Sequence, residues 1–369
     1  MNLKYNCAYF LGDKPCRYKR MCDGCKKYKP AGKRILIIKL AFTGDVLRTT
    51  PILAGLKKRY PSSHITWVTK KEALPVLENN RLIDSLLEYG VEALSRLFVQ
   101  RFDLVICLDK DAESTALAEI AHANKKAGFG LSKEGRAYPL SKSSEYAFRL
   151  GLDDELKFRK NKKSYQEIIF EIAGLKYNKE EYILILSTDQ LRRSEELRKA
   201  YGLAKHHRVI GFNTGCGDAF EGKKWTIGGF MRLGREISRL PATKILLLGG
   251  PKEVERNALI AKSAKFPLID TGCGNTLRDF ISIVNLCDLV VCGDTVTLHI
   301  AIALKKDVVA LFGPTVPQEI ELYGRGQKFF ANTDCSPCYK RICDRDDLCM
   351  KKIEASDVFK VVKGLLRKK

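Results

Sequence analysis

Arg34-Ile35-Leu36-Ile37-Ile38-Lys39-Leu40-Ala41-Phe42-Thr43-Gly44-Asp45-Val46-Leu47-Arg48-Thr49-Thr50-Pro51 decides the fold. The β-branched run Arg34 to Leu40 reads as a strand, and the apolar spacing from Val46 to Tyr60 reads as the helix after it. Gly44 lets the backbone turn tightly between them, and ligands of open α/β sheets gather outside the carboxyl ends of such strands. Asp45, at or near the helix start, therefore reads either as a helix cap or as a carboxylate aimed at a ligand. The dinucleotide pattern Gly-x-Gly-x-x-Gly is not matched here.

Working outward, the alternation continues with strands at His64 to Thr69 and Asp103 to Asp109 and helices at Glu72 to Asn79 and Ala112 to His122. This is a parallel α/β pattern. Residues 151 to 205 are densely charged, with a helical stretch near Tyr165 to Gly174 and a short apolar run Tyr182 to Leu186, and a domain boundary belongs there. The alternation then restarts. Strands are expected at Arg208 to Asn213, Lys244 to Leu248, Asp288 to Cys292 and Val308 to Phe312, with helices at Ile227 to Arg239, Glu253 to Ser263, Leu277 to Asn285 and Leu298 to Leu304. A last amphipathic helix spans Ala355 to Leu366, with Arg367, Lys368 and Lys369 where cations favour its dipole.

At 369 residues the chain exceeds the roughly 250 to 300 at which one core usually divides, so two domains are expected. Its net charge is +22, and residues 1 to 70 alone hold 16 Lys and Arg against 3 Asp and Glu. That excess points to phosphorylated, nucleic-acid or membrane-surface partners without specifying a fold. The longest apolar runs, such as Ile300 to Leu304, are far below the roughly 20 residues of a membrane span. The first ten residues carry Lys4, Asn6 and Cys7 and no hydrophobic signal core, which argues for a cytoplasmic chain.

The second half places a loop of glycines and hydroxyls after each of three strands: Asn213-Thr214-Gly215-Cys216-Gly217, Leu248-Gly249-Gly250-Pro251, and Gly293-Asp294-Thr295-Val296-Thr297-Leu298-His299. Backbone amides and helix N-termini attract phosphate, so repeated loops of this kind suit a nucleotide. Plain strand-to-helix turns use the same residues. Lys223-Lys224-Trp225 lies close enough to the first loop for a cation to reach a diphosphate, although paired lysines are more often solvated. His299 reads as structural or catalytic.

Thirteen cysteines in a large chain with no signal core favour metal ligation over disulfides. Eight of them form two groups, Cys7, Cys16, Cys22, Cys25 and Cys335, Cys338, Cys343, Cys349, each with a Cys-x-x-Cys pair. Four sulfurs are the count of a closed tetrahedral zinc site, and an iron-sulfur cluster is chemically possible. The other five read as small core residues.

Taken in order, Arg34 to Pro51, Lys223-x-Trp225, Asp294-Thr295 with His299, and Leu311-Phe-Gly-Pro-Thr-x-Pro317 resemble glycosyltransferase family 9, over roughly residues 33 to 366. The resemblance implies a GT-B fold, in which two Rossmann-like domains face each other across a cleft. It implies an inverting transfer from a nucleotide sugar, most simply heptose from an ADP-activated donor, to a lipopolysaccharide-core-like, phosphorylated glycolipid acceptor. No catalytic metal and no nucleic-acid partner are implied. Carried over by motif, Asp45 resembles the general base. Thr214, Gly215, Lys223, Gly249, Gly250, Asp294, Thr295 and His299 then fall on the donor side.

The chain departs from the family pattern where Val296 replaces a glycine and where Cys216, Asp218 and Glu221 occupy the loop before Lys223. Its head, residues 1 to 32, lies outside the match, while the C-terminal cysteine group resembles the tail of a number of family members. The expected organisation is a basic head at 1–32 with a metal site, an acceptor domain at 33–185 and a nucleotide-sugar domain at 186–352. A helix at 353–369 is expected to return to the first domain. Rival readings are a family member using another nucleotide sugar and a zinc-containing nucleic-acid-binding protein, whose recognition-helix spacing the head lacks. Contact with an anionic membrane surface would suit the basic first 70 residues.

Overall fold

The computed structural model describes residues 2–12, 16–217, 220–345 and 348–367. Asp218, Lys368 and Lys369 lie outside the described residues, as does the side chain of Glu221.

The first domain is built from β1 (Arg34–Ile38), α1 (Thr43–Thr49), α2 (Pro51–Arg59), β2 (His64–Thr69), α3 (Leu74–Leu77), β3 (Ser85–Glu88), α4 (Val91–Val99), β4 (Arg101–Cys107), α5 (Ala112–Ile120), β5 (His122–Leu131), β6 (Ala137–Pro139), α6 (Glu145–Arg149) and α7 (Tyr165–Ile172). Its strands run in the order β3-β2-β1-β4-β5-β6, parallel except for β6. Ile35 to Ile38 are all buried because β1 lies mid-sheet with helices on both faces, the setting in which strands read as unbroken apolar runs. Pro51 starts α2 where a missing amide hydrogen costs little.

The second domain comprises β7 (Arg208–Asn213), β8 (Thr243–Leu248), β9 (Ile269–Asp270), β10 (Leu289–Gly293), β11 (Asp307–Phe312) and β12 (Gly326–Phe330), with α8 (Thr188–Ala200), α9 (Ile227–Ile237), α10 (Val254–Ser263), α11 (Leu277–Asn285), α12 (Val296–Ala303) and α13 (Ala355–Arg367). Its all-parallel sheet has the order β12-β11-β10-β7-β8-β9. Both sheets thus share the Rossmann arrangement, whose order reverses beside the first strand. The reversal lies between β1 and β4 in one domain and between β7 and β10 in the other.

Alternation along each strand divides the core. Leu36 and Ile38 face α4 and α5, while Ile35 and Ile37 face α1, α2 and α7. This second layer continues without a break into α11, α12 and the inner face of the second sheet, so the domains share one apolar core. No helix among the described residues is long and apolar enough to cross a membrane.

The structure corrects the path of the last helix. Instead of returning to the first domain, α13 packs on α9, β11 and β12, with Val358 and Val362 fully buried against the outer face of the second sheet. Trp225 ties this segment down by donating from Nε1 to the Ile353 carbonyl at 3.1 Å. Placing a carboxylate there leaves a charge buried without a partner. Val362→Asp should therefore destabilise the second domain by about 3–5 kcal/mol. Hydrogen exchange should show protection falling in β7, β10 and β11 and persisting in β1 and β4; loss confined to the first domain would contradict this docking.

Candidate active site

The carboxyl ends of both sheets open onto one cleft of about 930 Å³, lined from both domains. Asp45 enters it from the first turn of α1, and Asp294, Thr295 and His299 enter it from the end of β10 and the start of α12. These two helices meet closely: a Cβ built on Gly44 would lie 2.6 Å from a ring carbon of His299 and 3.5 Å from the Val296 Cα. Glycine is the residue that fits there, and the contact brings a carboxylate of the first domain beside the Asp294-Thr295 segment of the second.

Asp45 makes an ion pair with Arg48 Nε at 2.9 Å, and Arg48 also stands 3.9 Å from Glu319 of the second domain and over the Tyr165 ring. Burial alone would raise the Asp45 carboxyl, but Arg48, then Lys39 and His299, outweigh it and hold it at about 2. Asp45 is therefore a charged carboxylate at neutral pH, and the backbone amide of Phe42, the N-cap of α1, adds to the lowering, so the side chain serves the helix start as well as facing the cleft. Lys39 is buried and paired with Asp109, whose second oxygen accepts the Leu40 amide at 2.7 Å.

Lys223 reaches the cleft and makes an ion pair with Asp294 at 2.8 Å, with its ammonium 4.8 Å from the centre of the Phe220 ring. Burial raises the Asp294 carboxyl, but Lys223 and then His299 outweigh it and hold it below the ordinary range. His299 is buried, and its Nδ1 lies 3.5 Å from the Tyr182 hydroxyl. Burial, reinforced by Arg48, lowers its imidazole to about 4, so it is neutral at pH 7. Thr295 donates to Asn213 Oδ1 at 3.1 Å and thereby joins the ends of β7 and β10. Val296 opens α12 without left-handed backbone, so its conformation does not require glycine, and its side chain lines the cleft where the motif's glycine would leave space.

One residue expected on the donor side turns away from the cleft. Thr214 is buried and donates its hydroxyl to Asn257, and its carbonyl accepts from Arg256. Asn213 and Gly215, its neighbours, line the cleft instead. Gly249 and Gly250 also line it, but the amides around them are partly satisfied already. Glu253 accepts from the Gly250 amide at 2.9 Å and lies 3.4 Å from the Gly217 amide, beneath the glycine loops. A Cβ on Gly215 would overlap Glu253 at 2.0 Å.

The reading of the sequence missed several cleft residues: Glu253, Arg48, Glu319, Tyr165, Lys110 and Lys157. Arg48 stood within the quoted first stretch, three residues after Asp45, the spacing that puts both on one helix face. Lys110 donates to the carbonyls of Ala147 and Phe148 and is pushed down to about 8 by burial and the nearby Lys157. Lys157, also lowered by burial, lies 3.8 Å from the centre of the Tyr339 ring.

None of the eight clustered cysteines lines the cleft itself, although Tyr339, next to Cys338, does. All thirteen cysteines are free thiols, and among the described residues no group of three or more His, Cys, Asp or Glu is drawn together as a metal shell. Cys349 packs against Gly313; burial raises its thiol, and Cys335 and Cys338 lie near enough to add to the shift. Cys335 lies 3.5 Å from the Thr333 hydroxyl, and Cys343 points to the Arg345 carbonyl.

Two Rossmann-like domains with a carboxylate from one facing a lysine and aspartate from the other across a cleft define a GT-B glycosyltransferase. Residues 92–348 match glycosyltransferase family 9 (heptosyltransferase), and the chain belongs to that family. It is 24% identical over 314 residues to the lipooligosaccharide heptosyltransferase 2 of Haemophilus influenzae, covering 77% of this chain and 84% of that one. A family 9 glycosyl transferase from Veillonella parvula superposes with a TM-score of 0.72 at 22% identity, covering 91% and 98% of the two chains. The E. coli heptosyltransferase WaaC with ADP-2-deoxy-2-fluoro heptose gives 0.59 at 16% identity, covering 90% and 99%. The chain is thus a heptosyltransferase-like enzyme, as its motifs led us to expect.

The lowered His299 has a consequence for stability. Between about pH 6.5 and 4 the unfolded imidazole takes a proton that the folded one refuses, so stability falls as pH drops through that window and this slope ends below 4. A shift from 6.5 to about 4 corresponds to about 3 kcal/mol. In urea titrations across pH 4 to 7, His299→Asn should show a flatter dependence than the parent by about that amount. Parallel curves would mean that His299 titrates normally.

Proposed function

We propose that the enzyme transfers a heptose from ADP-heptose, with inversion, to an anionic lipopolysaccharide-core-like acceptor, with Asp45 as the general base. The observation that carries this reading is the Gly44 to His299 contact, which sets Asp45 against the Asp294-Thr295 segment within one cleft. The ADP-2-deoxy-2-fluoro heptose named with the similar E. coli structure and the lipooligosaccharide heptosyltransferases among the relatives support the donor and the acceptor class.

In this reaction the acceptor oxygen attacks the anomeric carbon as the bond to the diphosphate breaks on the opposite face. Positive charge grows on the sugar and negative charge on the leaving phosphate. The hydroxyl becomes strongly acidic once it bonds to carbon, so a carboxylate held near 2 still accepts its proton late in the step. Lys223 and the first-turn amides of α12 meet the departing charge, with Asp294 holding the lysine in place. With those groups supplying the neutralisation, turnover needs no divalent cation and should persist in EDTA.

Lys110 and Lys157 face the cleft on carbonyls and rings, with Glu319 near both but, among the described residues, no carboxylate within ion-pair distance of either. On this reading they hold an anionic group of the acceptor. Lys110→Ala and Lys157→Ala should each raise the acceptor KM severalfold and leave the donor KM unchanged. An effect on the donor alone would move these lysines to the other substrate.

Asp45→Asn keeps the size of the side chain and removes its charge. Turnover of ADP-heptose should drop by about a hundredfold or more while ADP affinity, measured by calorimetry, is retained; near-normal turnover would refute general-base work. In the same titration Lys223→Ala should weaken ADP. Tighter binding of UDP or GDP than of ADP by the parent would select another nucleotide sugar.

A further inference from the structure

The head has no core. None of its described residues, 2–12 and 16–32, is buried. Its order comes from turns and from a tie between its two ends. Cys7 bridges Pro30 in antiparallel fashion, Ala8 N–H donates to the Lys29 carbonyl at 2.8 Å, and Ala31 N–H donates to that of Asn6 at 2.7 Å. The segment between is therefore closed into a loop. Inside it Cys25 N–H donates to the Cys22 carbonyl at 3.2 Å, a tight turn that Gly24 accommodates at φ 64°.

Cys7, Cys16, Cys22 and Cys25 all line one cavity of about 20 Å³, walled further by Tyr9 and Tyr18. That is the space of about one water molecule, which needs two to four good polar partners that thiols do not supply. It is far too small for an organic ligand. A segment this short and this exposed requires a staple to persist, and its four thiols are free rather than joined as disulfides.

We propose that the four head cysteines bind one zinc ion as a closed tetrathiolate site. Zn²⁺ forms four Zn–S bonds and releases four protons to solvent, with no change of oxidation state. Four sulfurs complete the tetrahedral shell and leave no position for substrate, as in structural sites. The site then carries a charge of −2, which the eight Lys and Arg against two Asp among residues 1 to 32 offset. The sulfurs do not yet form a ligand shell, so binding draws them inward across the cavity and couples the order of the head to the metal. Gly32 N–H donates to the Ser62 carbonyl just before β1, so the head is tethered at the amino end of the first sheet, opposite the end that opens on the cleft.

The test uses the full-length chain purified under reductant, loaded with zinc chloride and desalted. Elemental analysis should show one zinc equivalent fewer in Cys22→Ser/Cys25→Ser than in the parent, whatever the C-terminal cysteines hold. Cobalt substitution of the parent should give the visible bands of tetrahedral cobalt thiolate, reduced in the variant, and trypsin should cut the variant's head at least tenfold faster. Glycosyl transfer should be unchanged. Should the double variant fail to fold, Cys16→Ser should release zinc to a chelator at least tenfold more readily. Equal metal content in parent and variant, or iron colour that the variant loses, would overturn the zinc assignment.

Discussion

Everything in the cleft depends on how closely two backbones approach at Gly44. A hydrogen stands where any other residue would carry a carbon, and that allows the first turn of α1 to lie against the His299 ring. The contact is rigid on both sides: α1 follows a strand buried at mid-sheet, and α12 is a helix buried all round. His299 serves that packing as a neutral ring. Burial, with Arg48 beside it, holds the imidazole in its neutral form.

Charge in the site is arranged in opposed pairs. Arg48 binds Asp45 and reaches Glu319, Lys223 binds Asp294, and Lys39 binds Asp109, so each ion enters the cleft already oriented. Such preorganisation lets a developing charge meet fixed groups instead of reorienting solvent. Glu253 is the exception in kind. It sits beneath the glycine loops and takes amides that a phosphate could otherwise use, whereas Lys223 and the start of α12 stand open to the cleft.

The family, the two-domain α/β class and enzymatic character were legible because their signal is local. Buried parallel strands appear as apolar runs, and His64 to Thr69, Arg208 to Asn213 and Leu277 to Asn285 fall on observed elements end for end. What the pattern hid has physical reasons. β5 is half lysine, histidine and glycine because only its end is buried. β12 lies at a sheet edge with Gln327 and Lys328 exposed. α8 looked like a charged linker although Ser187 and Gln190 form a capping box at its start. Thr214 turns its hydroxyl inward to Asn257, a direction that one backbone step decides and composition does not encode. Lys110 and Lys157 lie far apart in sequence and meet only through the fold. The amphipathic stripe of α13 announced a helix but not which sheet it would cover.

That last helix has a wider consequence. With α13 held on the second domain, the described chain passes between the domains once, through residues 173–187, and the far end of that passage is fastened by Arg325 to Glu181 and by the Tyr323 hydroxyl to the Glu180 carbonyl. Every described cleft residue of the second sheet and its helices lies downstream of that seam, and every one of the first lies upstream. The chain is in effect two halves joined at a single crossing. A half exchanged there has to present a ring that Gly44 can accept and rebuild the apolar layer that both domains share.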